Sequence, residues 1–363
     1  MHTISINLGK SSHKIEIDSG ALGKAGERIL STFDGEPRTA VIVSNPTVSA
    51  LYGRRLQASL RRAGFKALVV LIGDGERVKN LDTANSIFTF LVEHRIERRD
   101  VIVALGGGVV GDVAGFVAAT YLRGIAFVQV PTTLLAQIDS SIGGKTGVNH
   151  KLGKNLIGAF HQPSLVLIDP AVLATLPPRE LRSGLFEAIK YGVIRDKRLF
   201  NRIASEAEKL TAARAEELDF VISRSCRIKA DVVSKDEREA GLRRILNFGH
   251  TIGHAMEAVT HYRKFHHGEA VAYGMRAAAQ IAEVMELLPP EGRQAVDYAI
   301  GRVGKLPPAR SLAPHDIIGA MKRDKKSISG RVAFVLPVEV GRVVIRNDVP
   351  LSCVRRIVTD LVT

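Results

Sequence analysis

The chain has 363 residues, 45% apolar and 24% charged, which is enough for one large or two smaller cores and argues against global disorder. Its net charge of +14 suits nucleic acid, an anionic surface or a small acidic substrate, but the lack of Trp, of a zinc-finger spacing and of an RNA-recognition pattern speaks against nucleic acid. Cys226 and Cys353 form neither a disulfide framework nor a metal-ligand spacing, so free thiols in a reducing cytoplasm are expected.

Residues 1–20 alternate polar and apolar (Ile4, Ile6, Leu8, then Ile15, Ile17) and predict an antiparallel hairpin, with no apolar core of a signal peptide. A helix is expected over 21–33, a buried strand over 39–44, an amphipathic helix with a basic outer face over 49–63, a strand over 67–71 and a helix over 81–94. The continuous apolar run 101–105 reads as a strand buried on both faces. Three glycines follow it, then a small-residue helix over 109–121, a break at Gly124 and a strand over 125–130 closed by Pro131. The glycines and Asp112 in this stretch exclude a membrane span.

Gly106, Gly108 and Gly111 satisfy G-x-G-x-x-G between a strand and a helix, where backbone amides and the helix N-terminus can receive a pyrophosphate. The ribose-binding acid expected about twenty residues onward is missing from 125–130, so the motif alone does not separate a nucleotide site from a tight turn. Alternating strand and helix predict a mostly parallel, Rossmann-like sheet, whose ligands lie beyond the carboxyl ends of its strands. Asn45, the Gly75-Glu76-x-x-Lys79 segment, Gly106 to Gly108 and Thr132-Thr133 all fall there, and their convergence favours a nucleotide.

Residues 139–163 are rich in Gly, Lys, Asn and Ser and weakly periodic, the mark of a long functional loop. Lys145, Lys151 and Lys154 with Asn149 and Asn155 give it the profile of an oxyanion cradle, an exposed basic loop being the other reading. One more strand is expected over 165–168, and Pro177-Pro178 ends the pattern. The division is therefore an α/β nucleotide-binding domain over 1–178 and a mainly α-helical domain over 179–363. Helices are expected there over 179–191, 195–210, 216–235, 245–259, 268–285, 294–303 and 315–321, with a β-like piece over 331–345.

The helical half carries chemistry. His250 and His254 fall one turn apart on one helix face, His266-His267-Gly268-Glu269 opens the next long helix, and Glu187 sits in an apolar helix with Lys190 at i+3. A carboxylate plus two imidazoles from different helices makes an open zinc site. Further cations are Lys229, Arg243, Lys325 and Lys326. Nucleotide, divalent metal and many cations together suggest oxidation or reduction of a polyanionic alcohol.

The segments GGGVVGDVAGFVAATYLRG, VPTTLLAQIDSSIGGKTGVNH, GKNLIGAFHQP, LRSGLFEAIKYGVI, SKDEREAGLRRILNFGHTIGHAME, HGEAVAYGM and DKKSISGRVAFVLP closely resemble the 3-dehydroquinate synthase family, over about residues 45–337. The resemblance implies a lyase of the shikimate pathway, acting on the seven-carbon keto-acid phosphate DAHP through transient oxidation by NAD, phosphate elimination, re-reduction and aldol closure. It implies recycled NAD, one zinc or cobalt ion, a cytoplasmic homodimer, and no membrane or nucleic-acid partner.

By that resemblance Glu187, His250 and His267 are metal ligands, His267 being preferred to His266. Lys145, Asn155, His254, Lys325 and, across a dimer interface, Arg123 hold the phosphate; Lys229 and Arg243 hold the carboxylate; Asp139, Lys190 and Asn247 also match substrate positions. NAD contacts fall to Asn45 (in place of the expected ribose-binding acid), Glu76, Lys79, Gly107, Gly108, Val109, Asp112, Thr132, Thr133, Lys154 and Thr175. Other readings are a sibling sugar-phosphate cyclase or a metal-dependent polyol dehydrogenase of related fold.

Overall fold

The computed structural model describes residues 1–323 and 332–363. The chain forms two compact units, Met1–Leu176 with Leu218–Ser234, and Pro177–Glu217 with Lys235–Thr363. The long helix Ala215–Lys235, expected wholly in the helical half, thus gives Leu218–Ser234 to the first unit.

The first unit is built on a seven-stranded sheet. Its strands are β1 (His2–Ile6), β2 (His13–Ile17), β3 (Thr39–Ser44), β4 (Lys66–Leu71), β5 (Val101–Gly106), β6 (Ala126–Pro131) and β9 (Leu165–Ile168), in the order β1-β2-β9-β6-β5-β3-β4. Only β1 and β2 pair antiparallel; every other neighbour is parallel. Alternate residues of the inner strands serve opposite faces: Ile42, Val103 and Val128 pack into one core, Val43, Ala104 and Phe127 into the other. A sheet covered on both faces needs apolar side chains at consecutive positions, which explains the unbroken run at 101–105.

The expected loop over 139–163 is instead largely a β-hairpin, β7 (Lys145–His150) antiparallel to β8 (Gly153–Phe160). Its glycines are a demand of strand pairing rather than of irregular backbone. Gly147 and Gly158 lie opposite each other, and a Cβ on Gly158 would sit 2.2 Å from the Thr146 carbonyl oxygen. With no side chain at those positions, the period-two signal is lost.

The second unit contains the helices Pro178–Arg195, Lys197–Thr211, His250–Val259, His267–Val284, Pro290–Val303, Pro314–Arg323 and Leu351–Val362, with a hairpin of β10 (Phe334–Glu339) and β11 (Arg342–Arg346). The helix expected over 245–259 starts only at His250. Gly249 takes the left-handed conformation (φ 80°) because the helix His267–Val284 crosses there; a Cβ would lie 2.7 Å from the Val271 oxygen. The last helix was not anticipated, although Val354, Ile357 and Val358 bury one stripe of it at helical spacing. Among the described residues, no helix is long and apolar enough to cross a membrane.

Candidate active site

In the first unit, the loops at the carboxyl ends of the strands are tied together by ion pairs. Lys79 ion-pairs with Asp112 and donates to Asn155 Oδ1 at 2.5 Å. Glu76 takes the side-chain amide of Asn149 at 2.8 Å and faces Lys154 Nζ at 3.2 Å, while the Asn149 amide donates to the Lys79 carbonyl at 2.8 Å. The lysine-rich hairpin is therefore laced to the Glu76–Lys79 segment, with Asn155 held at a positive φ of 53°. Burial pushes the Asp112 carboxyl above the ordinary carboxylate range, and Lys79 counters this only in part.

The glycine turn opens the helix Gly108–Thr120, whose N-cap is Gly107; no side chain caps it, so its first amides remain available to an anion. A Cβ on Gly107 would lie 3.2 Å from Thr133 Cγ2, and one on Gly108 3.0 Å from Ser140 Oγ, so both glycines keep the turn clear. The hydroxyls of Thr132 and Ser140 are buried and meet no hydrogen-bond partner in the described protein. An uncapped helix start beside two orphaned hydroxyls fits the phosphates of a nucleotide. Val109 follows in the first turn of that helix.

Three residues of the expected set are held by local contacts. Asn45 caps the short helix Pro46–Val48, accepting from the Val48 amide at 2.9 Å. Thr175 shares a 2.5 Å hydrogen bond with the Tyr52 hydroxyl. Thr133 caps its own turn through the Ala136 amide at 3.1 Å. Lys229, on the part of its helix that belongs to this unit, donates to the Asp139 carbonyl at 2.7 Å and ion-pairs with its carboxylate. Arg123 is exposed, following Leu122 at φ 49° and itself at φ 65°.

In the second unit, the helix Pro178–Arg195 contributes Glu187 and Lys190, both almost fully buried and ion-paired. His250 Nε2 lies 3.7 Å and His267 Nε2 3.5 Å from Glu187 Oε1. The Nδ1 atoms turn the other way, that of His250 to the Phe248 carbonyl at 3.1 Å and that of His267 to Glu257 Oε2 at 3.2 Å. Both Glu187 oxygens are buried; Oε2 is the one paired with Lys190, and Oε1 meets no hydrogen-bond partner among the described residues. A buried carboxylate oxygen facing two Nε2 atoms is the donor set of a divalent metal. The structure also brings in His254, whose ligating nitrogen lies with those of His250 and His267, all within 4.8 Å of one another. His266 stands apart from this group, as the N-cap of the helix that His267 begins.

Arg243 and Asn247 lie on the 3-10 helix Leu242–Asn247, whose approach is organised by Asp236. The Asp236 carboxylate accepts the amides of Ala240, Gly241 and Arg243 at 2.8–2.9 Å. Desolvation pulls its pKa upward, but those amides outweigh it and hold the carboxyl below its usual range. Arg243 donates through Nη1 to the Glu237 carbonyl, and Asn247 to Glu239 at 2.6 Å. Sequence reading missed Asp236 and Glu257. Glu257 left a signal: an acid three residues beyond His254, on a helix whose neighbouring positions are apolar. Lys325 and Lys326 lie outside the described residues.

Two family models match adjoining stretches of the chain: 3-dehydroquinate synthase N-terminal over residues 69–183 and 3-dehydroquinate synthase C-terminal over 184–327. A 3-dehydroquinate synthase of Nostoc punctiforme is 48% identical over 363 residues, covering 99% of both chains. Among solved structures, a 2-epi-5-epi-valiolone synthase of Streptomyces hygroscopicus, with NAD⁺ and Zn²⁺ bound, superposes with a TM-score of 0.89 at 29% identity over 98% of each chain. A 2-deoxy-scyllo-inosose synthase complexed with carbaglucose-6-phosphate, NAD⁺ and Co²⁺ gives 0.89 at 26% identity, covering 99% of this chain and 100% of that one.

Proposed function

The chain belongs to the 3-dehydroquinate synthase family, and from that premise we propose that it converts DAHP to 3-dehydroquinate and phosphate with recycled NAD and one zinc or cobalt ion. The observation that carries the redox part of this reading is Glu187, fully buried, with Oε2 paired to Lys190 and with Oε1, which meets no hydrogen-bond partner among the described residues, facing the Nε2 atoms of His250 and His267. When bound, the metal polarises a substrate hydroxyl and NAD supplies reversible oxidation of its carbon.

The chain's own residues bind, orient and handle protons. Glu187, His250 and His267 hold the metal. Lys190, buried beside Glu187, lowers the cost of negative charge developing on the substrate oxygen. The oxidised carbon acidifies its neighbour, and the leaving phosphate can itself accept that proton, so the protein needs no dedicated base. Lys145, Asn155 and His254 receive the phosphate, with Lys325 and a second copy's Arg123; Lys229 and Arg243 receive the carboxylate, and Asp139 and Asn247 contact the substrate. Support for this division is that Lys229 and Arg243 are each buried and fixed by backbone carbonyls, as rigid carboxylate clamps must be.

NAD is assigned to the Gly107–Gly108 turn and to Asn45, Glu76, Lys79, Val109, Asp112, Thr132, Thr133, Lys154 and Thr175. The side chains of Glu76, Lys79, Asp112 and Lys154 already form one ion-paired network with the hairpin. A homodimer and a cytoplasmic location complete the proposal. For the former, two successive residues at positive φ hold Arg123 outward, a strained conformation of the kind kept at functional sites.

The test is phosphate release from DAHP. It should need only catalytic NAD⁺, leave no net NADH, and stop on chelation. Release that consumes NAD⁺ stoichiometrically would mark a dehydrogenase, and preference for glucose 6-phosphate over DAHP a sibling cyclase.

A further inference from the structure

We infer that Glu257 is a positioning residue for His267, setting the ring's orientation and its affinity for the metal; this rests on the metal site proposed above. The imidazole of His267 lies between two buried carboxylates. Its Nε2 is 3.5 Å from Glu187 Oε1 and its Nδ1 is 3.2 Å from Glu257 Oε2. The two ring nitrogens point in divergent directions, so a carboxylate at Nδ1 does not share an ion held at Nε2. It accepts the Nδ1 proton instead, fixes the tautomer that presents the Nε2 lone pair, and makes that lone pair more basic.

The geometry separates this role from ordinary packing. The backbone of His267 is fixed by other groups: the Glu269 carboxylate accepts the His266 amide at 2.8 Å, and Arg179 grips both Glu269 oxygens at 2.7 Å. Glu257 therefore acts on the ring. His250 obtains the equivalent support from the Phe248 carbonyl, which no side-chain substitution removes. Glu257 also lies seven residues beyond His250, on the same helix and two turns along, so one helix carries both a ligand and the support of the ligand opposite.

The experiment titrates chelator-stripped protein with Co²⁺ in competition with a chromophoric chelator, following the visible absorption of bound Co²⁺. Glu257→Ala should bind Co²⁺ roughly tenfold to a hundredfold more weakly than the unaltered protein. Glu257→Gln should fall between, because its amide oxygen still accepts the Nδ1 proton without the charge. NAD⁺ affinity should be unchanged in both. If Glu257→Ala does not melt cooperatively, Glu257→Gln, which keeps the volume, decides the matter. Affinity in the deciding variant equal to that of the unaltered protein, while His250→Ala loses binding, overturns the role of Glu257 and leaves the metal site standing. Co²⁺ binding that survives His250→Ala overturns the metal site itself.

Discussion

Glu187 and Lys190 stand one helical turn apart, at 0% and 1% exposure, and form a buried ion pair. Lys190 also lies 4.8 Å from the Tyr191 ring centroid, so the ammonium is held by its own helix. Removing one member of such a pair leaves an uncompensated charge at a typical cost of about 3–5 kcal/mol. A divalent ion at Glu187 competes with Lys190 for the same charge, which couples stability, metal affinity and turnover at one pair.

Lys190→Met should therefore act in opposite directions on binding and catalysis. Turnover should fall by about a hundredfold or more, as expected when a group that stabilises developing charge is lost. Metal affinity should rise, since the ion no longer faces a fixed cation. The metal-free variant should melt well below the unaltered protein, and saturating Zn²⁺ should restore most of the difference. Calorimetry with and without Zn²⁺ measures this; equal metal-induced stabilisation of both proteins contradicts it.

Lys79 and Asp112 make a pH-dependent prediction. Burial raises the Asp112 pKa and Lys79 opposes the rise. With the folded value above the unfolded one, the folded state holds the proton longer, so this group's contribution is greatest below the unfolded pKa and is lost as pH rises through the folded one. Lys79→Met removes the opposing charge and enlarges the shift. The variant should be close to the unaltered protein at about pH 4, near the unfolded pKa, and increasingly destabilised toward neutrality. It should also bind NAD⁺ more weakly. Denaturant unfolding across that range reads the slope, and a stability difference independent of pH rules the coupling out.

His13 runs the other way. It is 6% exposed, its buried Nε2 meets no hydrogen-bond partner among the described residues, and burial lowers its pKa against the Ser11 carbonyl that accepts from Nδ1. The unfolded chain then takes up the proton first. Stability is complete above the unfolded value, about 6.5, and declines as pH falls through it toward the folded one. The slope for one proton is at most about 1.4 kcal/mol per pH unit. His13→Leu should flatten the stability profile between pH 7 and 5 without affecting turnover at pH 7.5.

Much of this was written in the sequence, and what was hidden was hidden for physical reasons. The parallel sheet was legible because strands covered on both faces leave unbroken apolar runs such as 101–105. The hairpin at Lys145–Phe160 was illegible because Gly147 and Gly158, facing each other at backbone contact, erase alternation. The start of the His250 helix was blurred because apolar Ile245 and Leu246 continue its rhythm while Gly249 breaks the backbone. Metal-site candidates were legible as residue types, but not their support: nothing local says that Glu257, ten residues before His267, meets its ring, or that Asp236 organises the amides around Arg243.

The cations Arg243 and Lys145 serve the substrate rather than the nucleotide in the proposed division. Arg243 is 2% exposed, with its amide on Asp236 and its guanidinium on the Glu237 carbonyl, so its side chain is set before any ligand arrives. Lys145 is an exposed residue of the first strand of the hairpin. If both meet the substrate's anionic groups, truncation removes charge-assisted contacts without touching the glycine turn. Arg243→Ala should then lower kcat/KM by the equivalent of about 2–5 kcal/mol, which is about thirtyfold or more. Arg243→Lys should recover little, because a point charge does not reproduce a planar two-pronged donor. Lys145→Ala should lower kcat/KM in the same direction. NAD⁺ affinity, read by fluorescence titration, should stay within about threefold in all three, a change under 1 kcal/mol. Loss of NAD⁺ binding with kcat/KM largely retained at saturating NAD⁺ would assign these cations to the nucleotide and reverse the division.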